Sequence, residues 1–187
     1  MGDCNLFHKE TTMMYIETER LILRDWEESD LVIFQQMNQD PITMEYFPKM
    51  LSYEESRQFY ERINIEIKKR GYGLYAVEIK KTKEFIGFTG FHYTVMDTDF
   101  SPCIETGWRY TREAWGFGYA TEAANACLNY AKENLNFKEV FSFTSIINKR
   151  SENVMKKIGM EKVCNFQHPT IPNGHKLREH VLYKIDV

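Results

Sequence analysis

Cysteine is scarce in this chain, and its spacing carries no metal or redox signature. Cys4, Cys103, Cys127 and Cys164 lie far apart with no CxxC pair among them, so zinc and dithiol motifs are poorly supported and reduced thiols in a cytoplasmic setting are expected. Apolar runs are short: none approaches the ~18 residues that span a bilayer, and the N-terminus has no signal-peptide core. The chain opens Met-Gly, but Leu6 stands where a myristoylation signal wants Ser or Thr. An excess of one charge sign is lacking too. The net value is −3, which leaves no basic field for nucleic acid. No repeat or low-complexity run is present. The expectations are no membrane, no nucleic-acid partner and no metal.

What is present suits one globular domain. The 187 residues can bury a sizeable core, and 43% apolar with 14% aromatic content excludes global disorder. Residues 1–14 read as a loose lead-in and 15–187 as the domain. "YIETERLILRDW" alternates like a strand, and "EESDLVIFQQMN" reads as a short helix capped by Ser29 or Asp30. "PITMEYFPKM" is a loop. "SYEESRQFYERINIEIKKRG" is an amphipathic helix with a capping box at Ser52 and Glu55, stopped by Gly71. "YGLYAVEI" and "EFIGFTGFHYTV" form a hairpin. "CIETGWRYT" is a strand whose glycine suggests a bulge. "KEVFSFTSII" is a β-rich strand, and "EKVCNF" and "HKLREHVLYKI" are the last two strands. Hairpins mixed with strand–helix alternation imply an α/β mixed sheet flanked by helices.

The stretch "WGFGYATEA" is the most informative. Behind it, Ala120, Ala123, Ala124, Cys127, Leu128, Ala131 and Leu135 recur at helical spacing, a small-residue face that can lie close to a sheet. The usual capping residue is missing, and Gly116-Phe117-Gly118-Tyr119 stands in its place. Unpartnered N–H groups, the positive end of the helix dipole and bare glycines together make an anion seat suited to phosphate. A plain tight turn before an uncapped helix is the other reading. A P-loop is excluded because no Gly-Lys-Ser/Thr follows. The dinucleotide fingerprint fits poorly, as the third glycine is absent. A second constellation, "NKRSENVMKKIGM", reads as a short helix. Asn148 is its cap, Ser151 stands at the third position, Val154, Met155 and Ile158 form the buried stripe, and Gly159 ends it.

These two motifs at this spacing, with "TERLILR" near the start and "HKLREHVLYKI" at the end, resemble the GCN5-related N-acetyltransferase superfamily, in its ribosomal-protein N-terminal acetyltransferase branch. The resemblance covers residues 16 to 185. It implies a mixed, mostly antiparallel sheet of about seven strands with about four helices, the strands "CIETGW" and "KEVFSF" splaying apart to admit the cofactor. It implies acetyl-CoA as acyl donor and an amine acceptor, either a protein N-terminus or a small molecule. The family's loop, Gln/Arg-x-x-Gly-x-Gly/Ala, places its last two positions on Gly118 and Ala120 and its first on Trp115, so the usual Gln or Arg is absent. By resemblance, amides from Gly116, Phe117, Gly118, Tyr119, Ala120 and Thr121 hold the pyrophosphate. The backbone around Trp108, Arg109 and Tyr110 pairs with the pantetheine arm, and Asn148 bonds that arm further along.

Acetyl transfer needs a neutral amine, and a lysine amine is neutral about once in several thousand molecules at pH 7, so a base is expected. Glu105 in "CIETGW" is the candidate, with a solvated strand carboxylate as the alternative. Glu122 is explained by the helix dipole. Many family members place a tyrosine in the second motif to protonate the leaving thiolate. Here that position is Met155, and Ser151 is the substitute, unless it serves only its own helix turn. Tyr46 and Phe47 lie on a loop resembling the acceptor lip, or else pack. His168, His180 and Tyr183 read as structural. Lys156 and Lys157 complement the dipole or meet a CoA phosphate. No cysteine falls in either motif, so direct attack in a ternary complex is expected. A non-catalytic acyl-CoA-binding module stays open, as do monomer and homodimer.

Overall fold

The computed structural model describes residues 12–187; most of the expected lead-in lies outside them. The described elements run in the order β1 (Met14–Glu17), β2 (Leu21–Arg24), α1 (Asp30–Gln39), α2 (Tyr53–Arg70), β3 (Leu74–Ile79), β4 (Phe85–Thr94), β5 (Cys103–Tyr110), α3 (Tyr119–Asn134), β6 (Glu139–Ser145), α4 (Lys149–Lys157), β7 (Glu161–Gln167) and β8 (Glu179–Asp186). The strands form one sheet in the order β1-β2-β3-β4-β5-β6-β8-β7. Every pairing is antiparallel except β5 with β6. The architecture is the mixed, mostly antiparallel sheet with four helices that the resemblance implied.

The sheet has eight strands where about seven were expected, because "YIETERLILRDW" is a hairpin. The Thr18 N–H donates to the Leu21 carbonyl at 3.0 Å, and the Thr18 hydroxyl accepts from the Leu21 N–H at 2.9 Å. A hydroxyl that bonds the backbone three residues on closes such a turn, and it is invisible to a period-two count. Two other expectations change. Ser29 occupies the N-cap of α1 but its side chain makes no capping bond. Asp30 lies inside the helix instead, accepting from Arg24 at 2.8 and 3.0 Å and from the Glu27 N–H at 2.8 Å. Nor does Gly107 mark a bulge: it pairs in regular register with Gly90. The register shifts fall elsewhere: between Met14 and Ile16 in β1–β2, between Val77 and Glu78 in β3–β4, and between Lys162 and Cys164 in β7–β8. The capping box at Ser52 and Glu55 is formed, and Gly71 ends α2 at φ 75°.

Two layers of helix cover the sheet. On one face α3 buries Ala123, Ala124, Cys127, Leu128 and Ala131; side chains this small let the helix axis approach the strands closely. On the other face α1 and α2 send Phe34 and Phe59 onto Phe88 of β4, with centroids 6.1 and 6.0 Å away. Burying rings of this size stabilises by roughly 1.5–3 kcal/mol each. Gly90 allows the crowding between β4 and its neighbour, since a Cβ there would lie 2.1 Å from the Gly73 carbonyl oxygen. β5 and β6 share only one registered pair, Glu105 with Phe141. Beyond it they splay, and a cleft of about 910 Å³ opens between them.

Candidate active site

The mouth of α3 forms one end of the cleft. Gly116 and Gly118 both take left-handed backbone, φ 83° and 82°, a conformation costing other residues roughly 1–2 kcal/mol. Gly118 is the N-cap and no side chain caps the helix, so its first N–H groups keep their hydrogen-bonding capacity for another partner. The turn is held from behind. Arg20 donates to the Phe117 carbonyl at 2.9 Å and to Glu122 at 2.7 Å, and the Thr18 hydroxyl donates to Glu122 at 2.6 Å. Glu122 is thus a clamp between the β1–β2 hairpin and α3, a firmer role than dipole complement. The geometry fits a pyrophosphate at this seat: 16 residues of aligned peptides stand behind it.

β5 supplies the cleft floor. Its side chains alternate, so Tyr110 lies beneath α3, where its hydroxyl and that of Thr89 are 2.6 Å apart. Trp108 lines the cleft. Glu105, Gly107 and Arg109 face the α1–α2 side. The opposite strand confirms that direction, since His92, paired with Glu105 in register, reaches Glu66 of α2 at 2.5 Å. Glu105 accepts from the Thr94 hydroxyl at 2.7 Å. Burial pushes its carboxyl up to about 6, against the opposing pull of Thr94 and His92. Glu105 is thus half-buried and hydrogen-bonded in the cleft. Arg109 donates to the Asn38 side chain at 2.5 Å, and its guanidinium lies 4.1 Å from the Phe47 ring centroid.

The second motif closes the other wall. Asn148 caps α4 by accepting from the Ser151 N–H at 3.2 Å, and its amide donates to Thr144 at 2.9 Å. These two bonds use half of its side-chain capacity, one amide N–H and one lone pair, on the helix and β6. The Ser151 hydroxyl lines the cleft and makes no hydrogen bond among the described residues. Met155 is fully buried and has no acidic proton to give. Gly159 takes φ 81° beyond α4. Tyr183 donates to Glu152 at 3.0 Å in the core, as its structural reading requires. Lys156 pairs with Glu152 at 3.4 Å, while Lys157 borders the cleft.

Tyr46 and Phe47 both line the lip. His168 and His180 lie in an aromatic cluster, their ring centroids 4.8 Å apart. Burial lowers both imidazoles, His180 to about 4. They nevertheless border the same cleft, which a structural reading did not anticipate. Four further residues were missed: Glu66, His92, Arg20 and Arg150. Arg150 spans the mouth, its guanidinium 4.2 Å from the Trp115 ring centroid and 3.0 Å from Glu45. A cation thus stands over the position where the family's loop carries Gln or Arg. Glu66 and Arg150 follow ordinary helical polar spacing, so nothing local separates them from solvated residues. Arg20 falls inside "TERLILR", where the resemblance was the available signal. Among the described residues no cluster of metal-ligating side chains exists, and no helix is long and apolar enough to cross a membrane.

Comparison with known proteins supplies the family and supports the fold. Residues 20–161 match the model of the acetyltransferase (GNAT) domain. The chain is 32% identical to the Bacillus subtilis protein YkkB over 76% of its own length and 83% of that protein. To the N-acetyltransferase YnaD of the same organism it is 28% identical, over 92% and 96%. A crystal structure of a GNAT-family acetyltransferase from Bacillus anthracis superposes with a TM-score of 0.76 at 27% identity, covering 93% of this chain and 98% of that one. The ribosomal L7/L12 α-N-protein acetyltransferase RimL, solved with coenzyme A, shares the fold with a TM-score of 0.75 at 16% identity, over 94% and 98%. The domain match spans well over half of the sequence, and the chain belongs to the GNAT family of acetyltransferases.

Proposed function

We propose that this enzyme transfers an acetyl group from acetyl-CoA to a primary amine by direct attack within a ternary complex, with Glu105 as general base. The observation that carries the reading is the position of Glu105. It lies at the one registered pair where β5 and β6 part, on the face opposite α3, with its carboxyl pushed up to about 6. At pH 7 such a group is roughly nine-tenths ionised, yet basic enough to draw a proton from an ammonium directly or through a water. The α3 mouth, amides 116–121, anchors the diphosphate of the donor. The backbone of β5 at Trp108, Arg109 and Tyr110, free of β6 beyond Glu105, offers hydrogen bonds to the pantetheine arm. Acetyl-CoA, when bound, supplies the activated thioester.

On the opposite wall the Ser151 hydroxyl relays a proton toward the departing sulfur, the work a tyrosine at position 155 would do. No described cysteine lines the cleft, which supports direct attack over an acetyl-cysteine step. The acceptor enters over the lip of Tyr46 and Phe47 and is a protein N-terminus or a small amine. The test is release of free CoA thiol with a panel of amines. Amine-dependent release is expected, reduced ~100-fold by Glu105→Gln. Thiol release no faster than buffer hydrolysis, with CoA bound, would leave a binding module instead.

A further inference from the structure

Arg24 is buried and Arg109 half-buried, and the fold treats the two guanidinium groups in opposite ways. Arg24, on the α1 side of β2, has its guanidinium bonded to Asp30 at 2.8 and 3.0 Å and to Glu78 at 2.9 Å. Arg109 has no carboxylate within ion-pair distance among the described residues. Its Nη1 donates to the neutral Asn38 side chain, its Nε is buried without a hydrogen-bond partner, and it is surrounded by the rings of Phe47, Phe59 and Phe88 with centroids 4.1, 5.8 and 5.5 Å away. Desolvation pulls the guanidinium down to about 9, so it remains charged at neutral pH. A desolvated charge without a counter-ion is costly, and folds usually supply one. A second guanidinium, that of Arg62, lies 5.5 Å from the Phe59 ring centroid and also borders the cleft.

The position of Arg109 says where a counter-ion would come from. It lines the same cleft as Glu105 and projects from the same face of β5. Gly107 stands between them, and a Cβ there would meet nothing within 4 Å, so the floor between the two charges is open. Four residues of strand separate their Cα atoms by roughly 13 Å. Two charge-assisted hydrogen bonds take up roughly 3 Å each, which leaves several bonds of acceptor between the groups.

We infer that the acceptor is an amino-carboxylate, its amine directed to Glu105 and its carboxylate held by Arg109 several methylenes away. This rests on the acetyltransferase reading and names the substrate class of that site. A planar guanidinium with free N–H groups matches a carboxylate in a way that neither a polyamine nor a plain alkylamine can use.

The experiment compares matched pairs in the CoA-release assay: 6-aminohexanoate against pentylamine, and lysine against cadaverine. The carboxylated member of each pair is expected to show a kcat/KM at least ~10-fold higher. Arg109→Met should bring the ratio close to one, because KM rises far more for the carboxylated member than for the plain amine, which serves as the internal reference for any effect on the strand itself. Equal use of both members by the unaltered enzyme, or a preference for the plain amine, overturns the assignment while the acetyltransferase reading stands. So does an Arg109→Met variant that loses both members in the same proportion. If no amine releases CoA, both readings fall. The wild-type comparison decides the matter even where the variant folds poorly.

Discussion

Glu105 was legible in the sequence as a carboxylate in the strand "CIETGW" beside the expected cleft, but its surroundings come only from the fold. Burial against β4 raises its carboxyl to about 6 from an ordinary 4.5. A general base works deprotonated, so turnover at saturating substrate should fall as pH drops through about 6, and a plateau should lie above it. Glu105→Gln should abolish that limb along with most of the rate; a pH–rate profile of the two proteins checks it. Ser151 had two readings as well, and the proposed one rests on its place at the mouth of α4. Its N–H is taken by Asn148 at 3.2 Å, while its hydroxyl is left for the cleft. Ser151→Ala is expected to lower kcat ~10-fold with CoA affinity within twofold. An unchanged kcat removes the hydroxyl from the proton path.

At the scale of elements, the mouth of α3 was the most readable feature of the chain. The absence of a capping side chain and the paired glycines are local facts, and the left-handed φ values of 83° and 82° are their direct expression. Gly118→Ala tests it. A Cβ there would come no nearer than 3.7 Å to Arg20 Nη2, so space is not the obstacle; the cost is backbone conformation, ~1–2 kcal/mol. CoA affinity should weaken ~5–30-fold by calorimetry, with the fold retained. A Kd within twofold of wild type would show that this turn does not set the seat. The β1–β2 hairpin was less legible, because the Thr18 turn leaves the strand-like alternation on both sides intact. Its importance is positional: it delivers Arg20 to Glu122 and to the Phe117 carbonyl.

For the molecule as a whole, α4 is bound to the far strands through one carboxylate. Glu152 is held down to about 2, chiefly by Lys149, with Tyr183 and Lys156 adding to it. A depressed carboxyl contributes stability that is complete above its unfolded value of 4.5 and is lost as pH falls toward about 2. Glu152→Gln should therefore be less stable than wild type by ~1–2 kcal/mol at pH 7. The gap should close between pH 4.5 and pH 2, as measured by chemical denaturation across that range. A gap independent of pH would mean that Glu152 acts through packing alone.

Local chemistry in the chain determined the helices, their caps at Ser52 and Asn148, the glycine stops and the uncapped mouth of α3. Each of these depends on residues within a turn or two of one another. Tertiary structure alone decided the identity of the cleft walls. Glu66 meets His92, Arg109 meets Asn38, and Arg150 meets Trp115 across 26, 71 and 35 positions of sequence. Pairings of that range arise only when the sheet order brings β5 beside β6 and lays α1 and α2 over one face. Desolvation follows the same rule: a strand glutamate and a strand arginine look alike exposed in sequence, and only packing withdraws water from both.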